Sequence, residues 1–301
     1  MSFATPAKSK SGKYLFCYFV GNEPQEERIH FAVSEDGYNF TALNNNEPVI
    51  IQTKGKKCVR DPYIFKGQDD FYYIIGTDMK CQEGWTSNHA LVTWKSKDLV
   101  NWTDETIIDI RDFGREFATT TRAWAPQTIW DEKEQQYMIY WAHSTVENDV
   151  AGMYYAHSTD MKTMTEPKPL YCRHIQTIDG DIAFCKETET YYLYFKHDED
   201  QTIAYVKSKY LTGPYEDKPV IVSLAKTGVE GSEIYNITGT NEWVMVMDEY
   251  GTDRFFMQQT TDFENFKAVN PDDYSMAFNP RHGSICAISD EDYERLIKAY
   301  K

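Results

Sequence analysis

A short pattern recurs along this chain at a spacing that few folds can accommodate. Each copy begins with Ser or Thr, usually has Asp two positions later, and ends in an aromatic or large residue four positions beyond that. The copies are SEDGYNF (34–40), SKDLVNW (96–102), STDMKTM (158–164), SKYLTGPY (208–215) and TTDFENF (260–266). Their starts are separated by 62, 62, 50 and 52 residues. Five copies at such a period predict a repeat architecture.

Two further elements belong to each repeat. Every copy follows a tyrosine-rich run typical of a β-strand: KYLFCYFV (13–20), FYYIIGT (71–77), QYMIYWA (136–142), YYLYFK (191–196) and EWVMVMD (242–248). Before four of these runs, and once near the end of the chain, a dipeptide ending in Pro or Gly leads into an apolar strand. The dipeptides are Asp61-Pro62, Ala125-Pro126, Asp179-Gly180, Glu230-Gly231 and His282-Gly283.

A unit of about four strands repeated five times predicts an all-β fold, a five-bladed β-propeller in one domain over 1–301. The strand at 282–288 has no tyrosine run after it, and the run at 13–20 has no dipeptide strand before it. Pairing these two terminal strands would close the ring and hide sheet edges. A short C-terminal helix is expected over 290–301, and residues 1–12 are expected to be flexible. A β-sandwich would not explain five repeats in register.

Charge and hydropathy restrict the partners. The net charge of −16 disfavours nucleic acid and acidic membrane surfaces, and points to a neutral ligand. The sequence contains no apolar stretch of membrane-spanning length and no secretory signal at its start, so a cytoplasmic protein is expected, or a secreted or periplasmic one whose signal was removed. The pattern leaves the oligomeric state open.

Equivalent residues of a propeller repeat lie at equivalent depths, so the five dipeptides should meet at one mouth of the central channel. Their first residues include three carboxylates and one histidine. Because converging like charges cannot all ionise at their usual pKa, one carboxyl should keep its proton near neutral pH. A protonated carboxyl opposite an ionised one is the arrangement that glycoside hydrolysis needs. Alternatively, these groups only hydrate the channel or hold a cation.

The dipeptide segments resemble the signature motifs of glycoside hydrolase family 43, in order and one per blade: RDPYI (60–64), WAPQ (124–127), IDGDI (178–182), VEGS (229–232) and RHGS (281–284). That family consists of five-bladed propellers that are inverting glycosidases. The resemblance implies that Asp61 is the general base and Glu230 the general acid. It implies that Asp179 is the third carboxylate, which orients the acid and modulates its pKa.

The same resemblance assigns weaker roles around these carboxylates. Trp124 resembles the tryptophan that lines the sugar subsite, although a tryptophan that only packs between blades is the alternative. Gln127 stands where the family usually has an acidic residue, and Arg281 is expected to bridge a carboxylate and a sugar hydroxyl. His282 matches a histidine near an axial calcium or sodium ion, held mostly through waters; a histidine that hydrogen-bonds the carboxylates is the alternative. The chemistry itself should need no cofactor.

The sequence therefore predicts an exo-acting, inverting glycoside hydrolase that removes terminal arabinofuranose or a related pentose from plant-type oligosaccharides. A β-xylosidase or galactofuranosidase of the same family is the alternative enzyme, and a non-catalytic sugar-binding propeller is the alternative without chemistry. A fructosidase-like propeller is disfavoured, because its RDP motif would follow an earlier nucleophilic Asp that this sequence lacks.

Overall fold

The computed structural model describes residues 12–226, 228–252 and 254–300. Within this part of the chain, twenty strands form five antiparallel sheets of four strands each. The first strand of each sheet contacts the first strands of neighbouring sheets, so these five inner strands surround a central channel. The predicted five-bladed β-propeller is confirmed. The expectation of flexibility for 1–12 falls almost entirely on residues outside the described ones.

Each blade contributes one inner strand and three strands farther from the axis. Blade 1 contains β1 (Lys13–Tyr18), β2 (His30–Ser34) and β3 (Phe40–Ala42), with β20 (Gly283–Ile288) as its inner strand. Blade 2 contains β4 (Val59–Lys66), β5 (Tyr72–Asp78), β6 (Ala90–Ser96) and β7 (Thr103–Asp109). Blade 3 contains β8 (Thr120–Asp131), β9 (Gln136–Thr145), β10 (Gly152–Ser158) and β11 (Lys168–Tyr171). Blade 4 contains β12 (Thr177–Cys185), β13 (Thr190–His197), β14 (Thr202–Ser208) and β15 (Val220–Ile221). Blade 5 contains β16 (Val229–Asn236), β17 (Trp243–Glu249), β18 (Arg254–Thr260) and β19 (Lys267–Ala268).

Blade 1 is built from both ends of the chain. Strand β1 pairs antiparallel with β20, in a register that runs from Lys13 opposite Ile288 to Tyr18 opposite Gly283. Blade 1 therefore completes the ring with a sheet rather than leaving two open edges. The predicted pairing of the terminal strands is confirmed.

A single α-helix, α1 (Asp290–Ala299), lies at the C-terminal end of the described chain. The Ser289 side chain caps it by accepting a hydrogen bond from the Asp292 backbone, and acidic residues occupy the first turn, where the helix dipole favours them. Leu296 is buried in the core shared by blades 1 and 2. Short 3-10 helices lie in the connections at Asn44–Asn46, Cys81–Glu83, Ile110–Phe113, Arg115–Phe117 and Pro271–Asp273.

The tyrosine-rich runs form the second strand of every blade, where both faces pack against neighbouring blades. Five hydrophobic clusters result, one at each blade boundary. The Ser/Thr-x-Asp pattern forms the turn after the third strand. In the first copy, the Ser34 hydroxyl accepts from Gly37 N and the Asp36 carboxylate accepts from Tyr38 N and Asn39 N. Both kinds of bond recur at 158–163 and 260–265. At 96–101 the Asp98 bonds recur, and the Ser96 hydroxyl accepts from Asp98 N.

A β-bulge interrupts the inner strands of blades 2 to 5 at the dipeptides. The bulged residues all have positive φ: 47° at Asp61, 46° at Ala125, 54° at Asp179 and 57° at Gly231. Bulges redirect side chains, and a positive φ is strained for residues other than glycine. Gly231, not Glu230, is therefore the blade 5 equivalent of Asp61 and Asp179. The sequence predicted that Glu230 is equivalent to Asp61 and Asp179. The structure corrects this by one residue, because Glu230 precedes the bulge.

Candidate active site

A small cavity of about 80 Å³, open to solvent, lies at the end of the channel where the bulges are. Its lining includes six of the seven residues to which the sequence assigned a role, and leaves out Gln127. The remaining lining residues belong to the inner strands and to the loops near them. The complete lining is Phe19, Arg60, Asp61, Met79, Trp85, Trp124, Ile178, Asp179, Glu230, Arg281 and His282.

Asp61 is held by two neighbours. Its Oδ2 accepts a hydrogen bond from the Thr77 hydroxyl at 2.9 Å, and its Oδ1 lies 3.3 Å from Nδ1 of His282. Burial alone would raise the pKa of Asp61. The hydrogen bond and charge of His282, the charge of Arg60 and the Thr77 hydroxyl outweigh burial and hold this pKa below its usual value. Asp61 is therefore ionised near neutral pH, as a general base must be.

His282 is buried among the carboxylates. Burial disfavours its charged form, but the hydrogen bond to Asp61 and the charges of Asp179, Asp61 and Glu230 raise its pKa to about 9. The ring is therefore an imidazolium at neutral pH, with both nitrogens acting as donors. His282 acts here as the cation that partners Asp61, which is the alternative that the sequence left open.

Asp179 lies farther from its cationic neighbours. His282 Nδ1 is 4.0 Å from its Oδ1, and the Gly231 backbone donates a hydrogen bond to its Oδ2 at 3.0 Å. Burial and the charges of Glu230 and Asp61 raise its pKa to about 6, against the opposing charges of His282 and Lys196. Asp61 and Asp179 thus titrate in different ranges although they occupy equivalent bulges, because their neighbours differ.

Glu230 is bound by a cation at each carboxylate oxygen. Arg281 Nη2 donates to Oε1 at 3.1 Å, and Lys196 Nζ donates to Oε2 at 2.9 Å. Arg281 is itself fixed by Asp248, whose Oδ2 accepts from the guanidinium Nε at 2.5 Å. The expected contact between Arg281 and a carboxylate is present. The carboxyl group of Glu230 consequently has a defined orientation at the cavity.

Aromatic side chains form one wall of the cavity. Trp85 and Trp124 meet edge to face with their ring centroids 6.3 Å apart, and Trp85 is 48% exposed. The Arg60 guanidinium lies between the rings of Phe19 and Trp85, 4.4 and 5.2 Å from their centroids. Exposed indole faces suit the apolar C–H side of a sugar. Trp124 therefore lines the cavity instead of only packing between blades.

The structure does not bring Gln127 into the cavity. It follows the bulge of blade 3 and is 3% exposed. Its amide donates to Glu233 Oε2 at 3.1 Å, while its Oε1 accepts from the Tyr140 hydroxyl at 2.8 Å. The corresponding residues of the other blades are Tyr63, Asp181 and Glu233. These four residues form a second layer of the channel, and we refer to Asp181 and Glu233 as the inner acid pair.

Several residues at the site were missed at the sequence level, and for three of them a signal existed. Thr77, Lys196 and Asp248 are the last residues of three tyrosine runs. They pair with the residues just before the bulge, respectively Arg60, Ile178 and Glu230. The register thus places the end of each run beside the cavity. Trp85 lies in the loop 78–90, whose shape cannot be inferred from the sequence.

The family follows from comparison with known proteins. A family model described as a probable glycosyl hydrolase domain, related to glycoside hydrolase family 43, matches residues 10–294. The chain belongs to this family. No curated protein matches the sequence.

Solved structures share the fold of this glycosyl hydrolase domain. The catalytic domain of a GH62 α-L-arabinofuranosidase from Coprinopsis cinerea is 14% identical, with a TM-score of 0.58 and coverage of 78% of this chain and 77% of that one. A thermostable family-43 glycoside hydrolase is 17% identical, with a TM-score of 0.56 and coverage of 71% and 72%. An exo-β-1,3-galactanase from Clostridium thermocellum is 14% identical, with a TM-score of 0.54 and coverage of 73% and 51%.

The protein is thus a glycoside hydrolase with a domain related to family 43, and a carbohydrate is its substrate. Among the described residues, no helix is long and apolar enough to cross a membrane.

The sequence expectation of an ion near His282 was compared with the side chains that the structure describes. Across the described parts of the chain, no three His, Cys, Asp or Glu side chains are arranged to hold a metal ion. An ion held near His282 through waters stays a prediction, and no step of the mechanism depends on it.

Proposed function

We propose that the protein is an exo-acting, inverting glycosidase that removes terminal arabinofuranose or a related pentose from plant-type oligosaccharides. The observation that carries the proposal is the meeting of Asp61, Asp179 and Glu230 at one cavity, where Asp61 is ionised and the pKa of Asp179 is raised.

In this mechanism Asp61 takes a proton from water as the water oxygen attacks the anomeric carbon. Glu230 gives its proton to the glycosidic oxygen as the bond between that oxygen and the anomeric carbon breaks. Each turnover leaves Asp61 protonated and Glu230 ionised, and exchange of one proton with solvent restores both. Asp179 and Arg281 orient Glu230 and the sugar. An inverting enzyme needs roughly 6.5–9.5 Å between the base and acid carboxyls, so that water fits between them.

The proposal is tested with aryl glycosides of arabinofuranose, xylopyranose, galactofuranose and galactopyranose. We expect wild-type protein to turn over the arabinofuranoside fastest. We expect Asp61→Asn and Glu230→Gln to reduce kcat/KM by about 100- to 10,000-fold. NMR of the first-formed sugar should show the inverted anomer. Preference for another glycoside would correct the sugar, a retained anomer would contradict inversion, and inactivity on every substrate would favour a binding protein.

A further inference from the structure

Three tyrosine runs end in a polar residue at the equivalent position of the second strand: Thr77, Lys196 and Asp248. Each of these side chains contacts a residue on or next to the inner strand of the following blade. Thr77 of blade 2 accepts a hydrogen bond from Ala125 N of blade 3 at 2.8 Å. Lys196 of blade 4 binds Glu230 of blade 5, and Asp248 of blade 5 binds Arg281, which precedes the inner strand of blade 1. A side chain at this position thus acts on the site residue of the next blade.

Lys196 is unusual among these residues because it is a cation buried beside carboxylates. It is 8% exposed, and its Nζ lies 2.9 Å from Glu230 Oε2 and 3.8 Å from Asp198 Oδ1. Burial disfavours its charged form, but the charges of Glu230 and Asp179 prevail and raise the pKa of Lys196. While Glu230 is ionised, this buried ammonium is held in place by its neighbours, whereas a surface lysine would sample many rotamers.

The two cations at Glu230 differ in how freely they can adjust. Arg281 is anchored by the buried Asp248, while the second ion-pair partner of Lys196 is the partly exposed Asp198. The exposed ring of Tyr250 lies 5.7 Å from both Lys196 Nζ and Arg281 Cζ, on the solvent side. When Glu230 holds a proton, it can no longer accept a full ion pair at each oxygen. Lys196 is the cation free to retreat, because its flexible stem allows movement.

We propose that Lys196 is a positioning residue that acts through Glu230 from the neighbouring blade. It fixes the Glu230 carboxyl group in the orientation for proton delivery to the leaving oxygen, and it yields that contact when Glu230 carries the proton. This inference rests on the proposed function of Glu230 as general acid.

The test uses substrates that differ in their need for a proton donor. An oligosaccharide or alkyl glycoside needs its leaving oxygen protonated, whereas a dinitrophenyl glycoside of the same sugar does not. The variants are Lys196→Met, Lys196→Arg and Glu230→Gln. The matched control is Lys207→Met on β14 of the same blade, which breaks a partly buried ion pair with Glu264 (2.9 Å). Lys207 lies opposite Tyr192, four residues before Lys196 on β13. Melting temperatures are measured for all four variants.

We expect Lys196→Met to lower kcat/KM by about 10- to 100-fold on the oligosaccharide but less than about threefold on the dinitrophenyl glycoside. Lys196→Arg, which keeps the charge, should recover part of the loss, and Lys207→Met should resemble wild type. Equal losses of Lys196→Met on both substrates, or none, would overturn the proposal.

Glu230→Gln separates the two hypotheses. If it loses activity selectively on the oligosaccharide while Lys196→Met does not, the function of Glu230 stands and the role of Lys196 fails. If Glu230→Gln shows no such selectivity, the proposed function itself fails. Should Lys196→Met not fold, the same two-substrate comparison is made with Lys196→Arg, where a selective loss supports the proposal and an equal loss overturns it.

Discussion

The channel contains two layers of acidic residues that differ in one respect, the presence of cations. At the cavity, Asp61 and Glu230 have His282, Arg281 and Lys196 within ion-pair distance. In the second layer, neither member of the inner acid pair has an ion-pair partner among the described residues. Both layers come from the same strands, with Asp181 only two residues beyond Asp179. Position in the channel does not decide which carboxyl ionises, because neighbouring charges do.

The inner acid pair holds its protons more tightly than ordinary carboxyl groups do. Burial raises the pKa of Asp181 to about 7, against the hydrogen bond from the Ile234 backbone and the charge of His282. Burial and the charge of Asp181 raise the pKa of Glu233 well above its usual value. Asp181 accepts from Ile234 N at 2.7 Å, so the pair is integrated into the strands. The pair therefore carries less negative charge near neutral pH than two ordinary carboxyl groups would, and it lies beneath a layer of ion pairs.

The largest expected effect is a difference in activity loss between variants of two aspartates on the same strand. Asp179→Asn should reduce kcat/KM by at least about 100-fold, because it removes a carboxyl that orients the acid and the sugar. Asp181→Asn should stay within about threefold of wild type, since an amide can replace a protonated carboxyl. Steady-state kinetics on one aryl glycoside measures both. Similar losses in the two variants would show that the layers act as one unit.

The next effect concerns the cation that distinguishes the cavity layer. The folded-state pKa of His282, about 9, lies above its ordinary value of 6.5. Its contribution to stability is therefore fully present below about pH 6.5 and is lost as the pH rises through about 9. His282→Gln should remove this loss, which amounts to about 3 kcal/mol. Denaturant unfolding at pH 6 and pH 9.5 measures it; an equal pH dependence in the variant would refute the assignment.

A smaller pH dependence of stability is expected in the second layer, where burial rather than ion pairing raises the pKa. The raised pKa of Asp181 makes the folded state bind its proton more tightly than the unfolded chain, so stability falls as the pH rises from about 4 to about 7. Asp181→Asn should match wild type near pH 5 and exceed it by about 2 kcal/mol at pH 8. Unfolding curves at both values test this. A variant less stable at pH 8 would mean that the ionised carboxylate has a compensating partner.

The smallest expected effect is that of a chelator. We propose that protonated side chains supply the positive charge of the cavity layer, so EDTA should change neither kcat/KM nor the melting temperature measurably. The control is the same treatment followed by added Ca²⁺ or Na⁺. Activity lost with EDTA and restored by calcium would place a functional ion in the channel, in addition to His282 and its neighbours.

Much of this architecture could be predicted from the sequence, because five copies of one pattern identify strands that a single copy would leave ambiguous. The tyrosine runs identified the second strands, and the dipeptides identified the inner ones. Gln127 shows the limit: its motif suggested a substrate contact, but the bulge turns it toward Glu233. The bulge at Gly231 likewise moved Glu230 one residue out of the expected equivalence. Such local departures depend on backbone geometry that neither period nor composition encodes.

The sequence by itself determined five blades, the closure of the ring by its two ends, and which residue types meet at the channel mouth. These features follow from periodicity and strand pairing, which are nearly local properties. Only the tertiary structure decided that His282 is the cation beside Asp61 and that Lys196 and Arg281 bind the two oxygens of Glu230. It also decided that the inner acid pair has no ion-pair partner in the described parts of the chain. Ionisation depends on burial and on charges brought together from distant parts of the chain, so it becomes defined only when the ring is closed.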